Sequence, residues 1–221
     1  MTETTEKHKA MKNRLLLVLL VFLTAALSCS AQKAVDDIRK RYGEIKRMIS
    51  LMGEGPHWQD NAVDADSPGG WPPEYFHVKI VQNLPGTGYH EENVRMYYEE
   101  DGKEDEIYPP LILAFASSKY NFAAREFYEE YLYDTKGKLI FIYAQSPDVD
   151  FGKIYELRFY LSGGKVINTI VKKRDFNEEI FQEVYSGKDI PNLYKEYFDQ
   201  YIAGAKKIEN MFKAINDGRN L

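Results

Sequence analysis

Two pairs of charged side chains on neighbouring predicted strands have the residue types for carboxylate chemistry. They are Arg125 and Glu129 on one strand, and Glu156 and Arg158 on another. With Asn168 they lie on strands that we expect to be neighbours, so several of these side chains are expected to share one face of a sheet. Carboxylates among aromatic residues on such a face can bind a sugar or, at a suitable separation, hydrolyse one. Antiparallel sheets also commonly carry ion pairs on a solvated face, so the same pattern is typical of a purely structural role.

Other motifs give weaker indications of chemistry. Ser162-Gly163-Gly164-Lys165 has the spacing of a serine and lysine nucleophile pair, but it falls in a predicted hairpin turn, whereas that chemistry needs the serine at the start of a helix. Asp60, Asp64 and Asp66 lack the glycine and distal glutamate of a calcium-binding EF-hand. The three histidines that follow residue 31 have no zinc-binding spacing, and His90-Glu91-Glu92 is predicted to lie in a loop. The sequence therefore predicts no metal and no cofactor.

Residues 56–73 form the least regular segment of the chain. They collect proline, glycine and aspartate with both tryptophans, Trp58 and Trp71, and show no periodicity. Connections longer than about 12 to 15 residues are usually functional or disordered, and tryptophan is on average a well-buried residue. The segment predicts an ordered loop in which the two indoles cap the core or form a binding surface.

The N-terminus has the pattern of a secretory signal peptide. Basic residues precede an apolar run at 15–23, and small residues follow as far as Ala31. The run is shorter than the roughly 20 apolar residues of a membrane span. We therefore expect residues 1–31 to be removed, leaving an exported product, periplasmic or secreted, that begins at Gln32. The alternative is cleavage before Cys29, since residues 26–29 resemble a lipobox, and lipidation there would anchor the protein to a membrane.

The rest of the chain, residues 32–221, is predicted to form a single domain. These 190 residues carry a net charge of −7 and contain no cysteine, because Cys29 is the only one in the chain. A product that begins at Gln32 has no disulfide and no thiolate nucleophile. No basic stripe interrupts the acidic composition, so nucleic acid is not an expected partner.

Hydrophobic periodicity predicts three helices. Apolar steps of three and four from Val35 to Met52 predict an N-terminal amphipathic helix, and a similar stripe after Pro191 predicts a long C-terminal one. A shorter stripe from Phe176 to Val184 predicts a short helix between the strands and the long helix. Each stripe is apolar on one side only, so each helix needs a surface to cover.

The apolar period changes to two between the N-terminal and C-terminal helices. Alternation from Glu74 to Lys173 predicts an antiparallel β-meander of about six strands, with hairpin turns at 135–137 and 162–164 where glycine supplies a positive φ. The meander and the helices, packed on one face, predict an α+β layer architecture.

Two of the predicted strands also carry a resemblance. The segments 120–130 (YNFAAREFYEE) and 133–140 (YDTKGKLI) resemble exported domains of Gram-negative bacteria that have no assigned activity. The similarity in layout extends over residues 32–215, but the specific match is confined to these segments. The resemblance implies an exported α+β family and supplies no catalytic residues.

Two classes of function are consistent with these patterns. The first is a non-catalytic binding or interaction domain of the cell envelope, whose partner is an envelope protein or a glycan. The alternative is a carboxylate-dependent hydrolase acting on glycan or peptide. An enzyme needs a concave pocket with converging polar groups and perturbed acids, whereas a binding module can present a flat aromatic face. Contact with a membrane is expected only if Cys29 is lipidated.

Overall fold

The computed structural model describes residues 32–50, 74–101, 109–148 and 152–219. The expected signal peptide, Cys29 and the segment that holds Trp58 and Trp71 lie outside these residues, as do the three aspartates of the same segment. What the sequence predicts about them stays a prediction. In the described part of the chain, no helix combines the length and apolar character needed to cross a membrane.

The described residues form one sheet of eight antiparallel strands, each of which pairs with its neighbour along the chain. The strands are β1 (Tyr75–Leu84), β2 (Gly88–Glu100), β3 (Leu111–Phe122), β4 (Arg125–Tyr133), β5 (Leu139–Asp148), β6 (Lys153–Ser162), β7 (Lys165–Asp175) and β8 (Gln182–Gly187). The α+β class and the antiparallel meander are confirmed. The expected number of about six strands is too low.

A hairpin at residues 84–88 lengthens the first two strands beyond the predicted ones. Its turn contains Gly86 and Gly88 at φ +78° and +80°, a backbone conformation that favours glycine. As a result β2 begins at Gly88, and His90 and Glu92 lie on that strand instead of in the predicted loop.

The predicted short helix from Phe176 to Val184 is wrong, because this segment forms a turn followed by β8. Tyr185 pairs with Val171 of β7, so the segment adds an edge strand to the sheet. Apolar residues at helical spacing over only nine positions do not separate a helix from a turn and a strand.

The helices α1 (32–50) and α2 (Asn192–Gly218) pack on opposite faces of the sheet, not on one face as predicted. The core under α1 contains Val35, Ile38, Ile45, Phe115, Leu132 and Phe141. The core under α2 contains Met96, Tyr131, Leu157, Tyr201, Ile208 and Phe212.

The central strand β4 explains why both faces need a cover. Tyr131, Leu132 and Tyr133 are consecutive and all 0% exposed. Because successive strand residues point to opposite faces, such a run places large apolar side chains on both sides of the sheet. One helix can cover only one side, so each face takes its own helix.

Candidate functional site

The structure separates the charged residues that the sequence placed on one face. Glu129 of β4 lies on the face that α2 covers, next to Gly204 of that helix. Glu156 and Arg158 of β6 lie on the opposite face, where Arg158 lines a cavity with residues of α1. Arg125, opposite Phe122 at the start of β4, is exposed. Glu129 therefore does not act at one site with Glu156 and Arg158.

Glu156 and Arg158 do contact each other. The Arg158 Nη2 lies 2.8 Å from the Glu156 Oε1, and the Nζ of Lys172 on the neighbouring strand lies 3.8 Å from the same oxygen. The Tyr143 hydroxyl donates to the other carboxylate oxygen at 3.4 Å. Ion pairs between neighbouring strands on a sheet face are typical of a purely structural role.

A polar cavity of about 290 Å³ lies between α2 and strands β2 to β4. Three adjacent strands and one helix face build it from residues far apart in the sequence. Its lining is His90, Glu92, Ser118, Tyr120, Glu129, Gln200, Gly204, Lys207 and Ile208. Of the charged residues that the sequence placed in a binding patch, only Glu129 takes part.

Glu129 is one of two buried acids of this cavity and, like Glu92, is 8% exposed. The hydroxyl of Tyr131 donates to one carboxylate oxygen at 2.5 Å, and that of Tyr120 donates to the other at 2.8 Å. Burial raises the pKa of the Glu129 carboxyl, and the nearby charge of Glu92 adds to this, whereas the two tyrosine hydrogen bonds oppose it. The net direction is upward, so the site holds an acid that is more easily protonated than a free glutamate.

Glu92 is the second acid of the cavity, and it is the one with a cation. The Lys207 Nζ lies 2.6 Å from one of its oxygens, and the Ser118 hydroxyl donates to the other at 3.3 Å. Glu92 is buried, while the Lys207 side chain is 49% exposed. The pair joins α2 to β2 and forms the part of the cavity wall that reaches solvent.

Gly204 brings the helix close to the acids. A Cβ at this position would lie 2.5 Å from the Tyr131 hydroxyl oxygen and 3.3 Å from a Glu129 oxygen. Glycine costs about 1 kcal/mol relative to alanine inside a helix, and here it allows the backbone of α2 to pass directly over the buried Tyr131 and Glu129 pair.

His90 forms the rim of the cavity on β2. Its Nδ1 lies 2.5 Å from the carbonyl oxygen of Asn121. Because a carbonyl only accepts, this nitrogen carries a proton. The ring also contacts Tyr120, with their centroids 6.4 Å apart.

The chain matches no protein-family model, no curated protein and no solved structure at a significant level. Within the described ranges, no three histidine, cysteine, aspartate or glutamate side chains gather as a metal site would require. The indications of what the cavity binds therefore come from its own geometry.

Proposed function

We propose that this protein is a non-catalytic binding domain of the bacterial cell envelope, and that the cavity under α2 holds one sugar unit of an envelope glycan. The observation that carries the proposal is the mixture of hydrogen-bonding groups in one small concave site. Carboxylates accept, while Lys207 and Gln200 donate, as the hydroxyls of a sugar require. A volume of about 290 Å³ is at the small end for ligand pockets, which favours a single end group over a chain.

The hydrogen bonds of Glu129 support binding over catalysis. Each of its oxygens already accepts a tyrosine hydroxyl, from Tyr120 and Tyr131. A general acid must hold its proton on an oxygen that faces the leaving group, but both oxygens here are directed at internal donors. Glu129 therefore orients the tyrosines, and the contact with the ligand falls to the Glu92 and Lys207 pair, whose lysine reaches solvent.

One observation favours the hydrolase as a second candidate. The raised pKa of Glu129 beside another carboxylate, Glu92, is the arrangement that separates an acid from a base in glycoside hydrolysis. In this alternative Glu129 protonates the leaving oxygen and Glu92 activates water or attacks the sugar.

Titration of the purified protein with glucose, galactose, glucosamine and N-acetylglucosamine tests the binding proposal. We expect saturable shifts of backbone amide signals in β2 to β4 for at least one sugar. Glu92→Gln should weaken binding about tenfold or more, because a hydrogen bond to a charged group is lost. Glu126→Gln is the control, since this residue of β4 is 73% exposed and outside the cavity.

Two results would decide against the binding domain. If none of the four sugars binds saturably, or if Glu92→Gln binds sugar with the same affinity as the wild type, the proposed site is wrong. Release of nitrophenol from 4-nitrophenyl glycosides that is abolished by Glu129→Gln but retained in Glu126→Gln establishes the hydrolase instead.

Export to the envelope is part of the proposal and rests on the N-terminal pattern of residues 1–31. The intact mass of protein isolated from its native host tests it. We expect a product that begins at Gln32. A mass that retains residues 1–31 contradicts export, and a diacyl or triacyl mass on Cys29 shows an exported protein anchored to a membrane instead of a soluble one.

A further inference from the structure

A second cavity lies on the opposite face of the sheet, between α1 and strands β5 and β6. It has a volume of about 120 Å³. Its lining is Ile38, Arg39, Tyr42, Phe141, Tyr143, Arg158 and Tyr160. Among the described residues that line it, the charged side chains are two arginines, which come from different elements, α1 and β6.

Tyrosine rings hold both guanidinium groups in place. The Arg39 guanidinium lies 5.4 Å from the centre of the Tyr160 ring, and that of Arg158 lies 5.6 Å from the centre of the Tyr143 ring. These are cation–π distances. Arginines stacked in this way lose less conformational freedom when they bind a ligand.

The hydrogen-bonding capacity of these groups is incompletely used. The Nε of Arg158 is buried and has no hydrogen-bond partner. The Tyr160 hydroxyl accepts from the Arg39 Nε at 3.4 Å, and that bond leaves its own proton to donate. A buried donor without a partner costs free energy, and the proton of the Tyr160 hydroxyl remains available to an acceptor in the cavity.

Two carboxylates flank the cavity without entering its lining. Asp36 is 3.4 Å from Arg39 at the exposed side, and Glu156 is 2.8 Å from Arg158. The Glu156 Oε1 has no hydrogen-bond partner. Its 2.8 Å contact with the Arg158 Nη2 is therefore an ion pair without hydrogen-bond geometry. Glu156 therefore partly neutralises Arg158 but does not satisfy its donors.

We infer that this cavity binds an oxyanion end group, a carboxylate or a phosphate. Arginine forks match the planar or tetrahedral oxygens of such groups, and the Tyr160 hydroxyl adds a neutral donor. A cavity of roughly 150 Å³ holds one benzene molecule, so a volume of about 120 Å³ admits the end group of a larger molecule. The inference is independent of the sugar site, which lies across the sheet.

Titration with inorganic phosphate and with acetate, at constant ionic strength in chloride, tests the inference. We expect at least one anion to shift the Nε–Hε NMR signals of Arg39 and Arg158 saturably, and the anion that does so identifies the preferred group. Arg158→Gln should weaken binding about tenfold or more. Glu156→Gln should tighten binding, because it removes a competing negative charge. Arg125→Gln is the control, since this exposed arginine is outside the cavity.

The amide spectrum of each variant shows whether it remains folded, and Glu156→Gln provides a test that does not depend on removing an arginine. Shifts that never saturate with either anion, or equal affinity in the wild type and Arg158→Gln, would overturn the inference. Weaker binding in Glu156→Gln would also overturn it, because a competing carboxylate cannot assist an anion.

Discussion

Replacing Gly204 by alanine tests the packing of α2 over the buried acids. Helix propensity alone predicts a stabilisation of about 1 kcal/mol. The added Cβ would lie 2.5 Å from the oxygen of Tyr131, a side chain that is 0% exposed. Overpacking of this kind costs about 1–3 kcal/mol, and displacing Tyr131 from Glu129 removes a hydrogen bond to a charged group worth about 1.5–3 kcal/mol. Both costs oppose the gain in helix propensity, so we expect a net loss of about 1.5–5 kcal/mol in the free energy of unfolding.

Gly43 of α1 provides a matched control. It is also a helical glycine, but a Cβ there has no atom within 4 Å, so Gly43→Ala should stabilise the protein by about 0.5–1 kcal/mol. Urea unfolding of both variants measures the difference. In a Tyr131→Phe background, the cost of Gly204→Ala should fall, because the oxygen that the Cβ would meet is absent. A stabilisation by Gly204→Ala similar to that of Gly43→Ala would refute the packing argument.

Two further variants test the buried carboxylates. The raised pKa of Glu129 means that the folded protein binds this proton more tightly than the unfolded chain does. Stability is therefore lost as pH rises from the usual glutamate pKa through the pKa in the folded protein. Glu129→Gln should reduce that loss in urea unfolding across about pH 4–8, and an unchanged dependence of stability on pH would contradict the prediction. Lys46→Met removes the cation 2.6 Å from the 2% exposed Glu130 side chain. Because a buried acceptor then loses a partner, this variant should cost about 1–3 kcal/mol in urea unfolding. Lys119→Met, from an exposed pair, should cost under about 1 kcal/mol, and equal losses in the two variants would contradict this.

The strands with strong turn signals could be predicted from the sequence. Gly137, Gly163 and Gly164 adopt φ of +71°, +58° and +76° in the turns that the sequence placed there. The first hairpin had a similar signal, a proline followed by Gly86 and Gly88, and that signal fixes where β2 begins. By contrast, β8 is a short edge strand in which Val184 is exposed. Its sequence therefore lacks the alternation of apolar and polar residues that predicts a strand.

The apolar periodicity of each helix does not predict which face of the sheet that helix packs against. A one-sided helix needs a cover, but its sequence does not say which face of the sheet supplies it. The information lies in β4, where three consecutive large buried residues, 131–133, are typical of a strand covered on both sides. The adjacent Glu129 and Glu130 follow the same alternation, and each meets a different helix.

Most of the candidate site has no sequence signature. Glu92, Ser118 and Lys207 converge from β2, β3 and α2, and neither spacing nor residue type links positions so far apart. Glu129 was identifiable as a carboxylate among tyrosines, but its partners depend on the register of β3 against β4 and on where α2 crosses them. The mid-helix Gly204 was the one local hint, because a glycine in a helix interior indicates close packing.

The meander also determines the order in which the chain can assemble. Every ladder joins strands that are adjacent in sequence, so hairpins can form and add to one another with little loop-closure entropy. The helix contacts close much longer loops, since the Lys46 and Glu130 bond spans 84 residues and the Lys207 and Glu92 bond spans 115. In a chain that emerges N-terminus first, α1 is present when its face forms, whereas the other face waits for the 27 residues of α2. The cavity under α2 therefore forms only after the whole sheet has emerged, and a chain truncated before residue 192 would expose an apolar sheet face in its place.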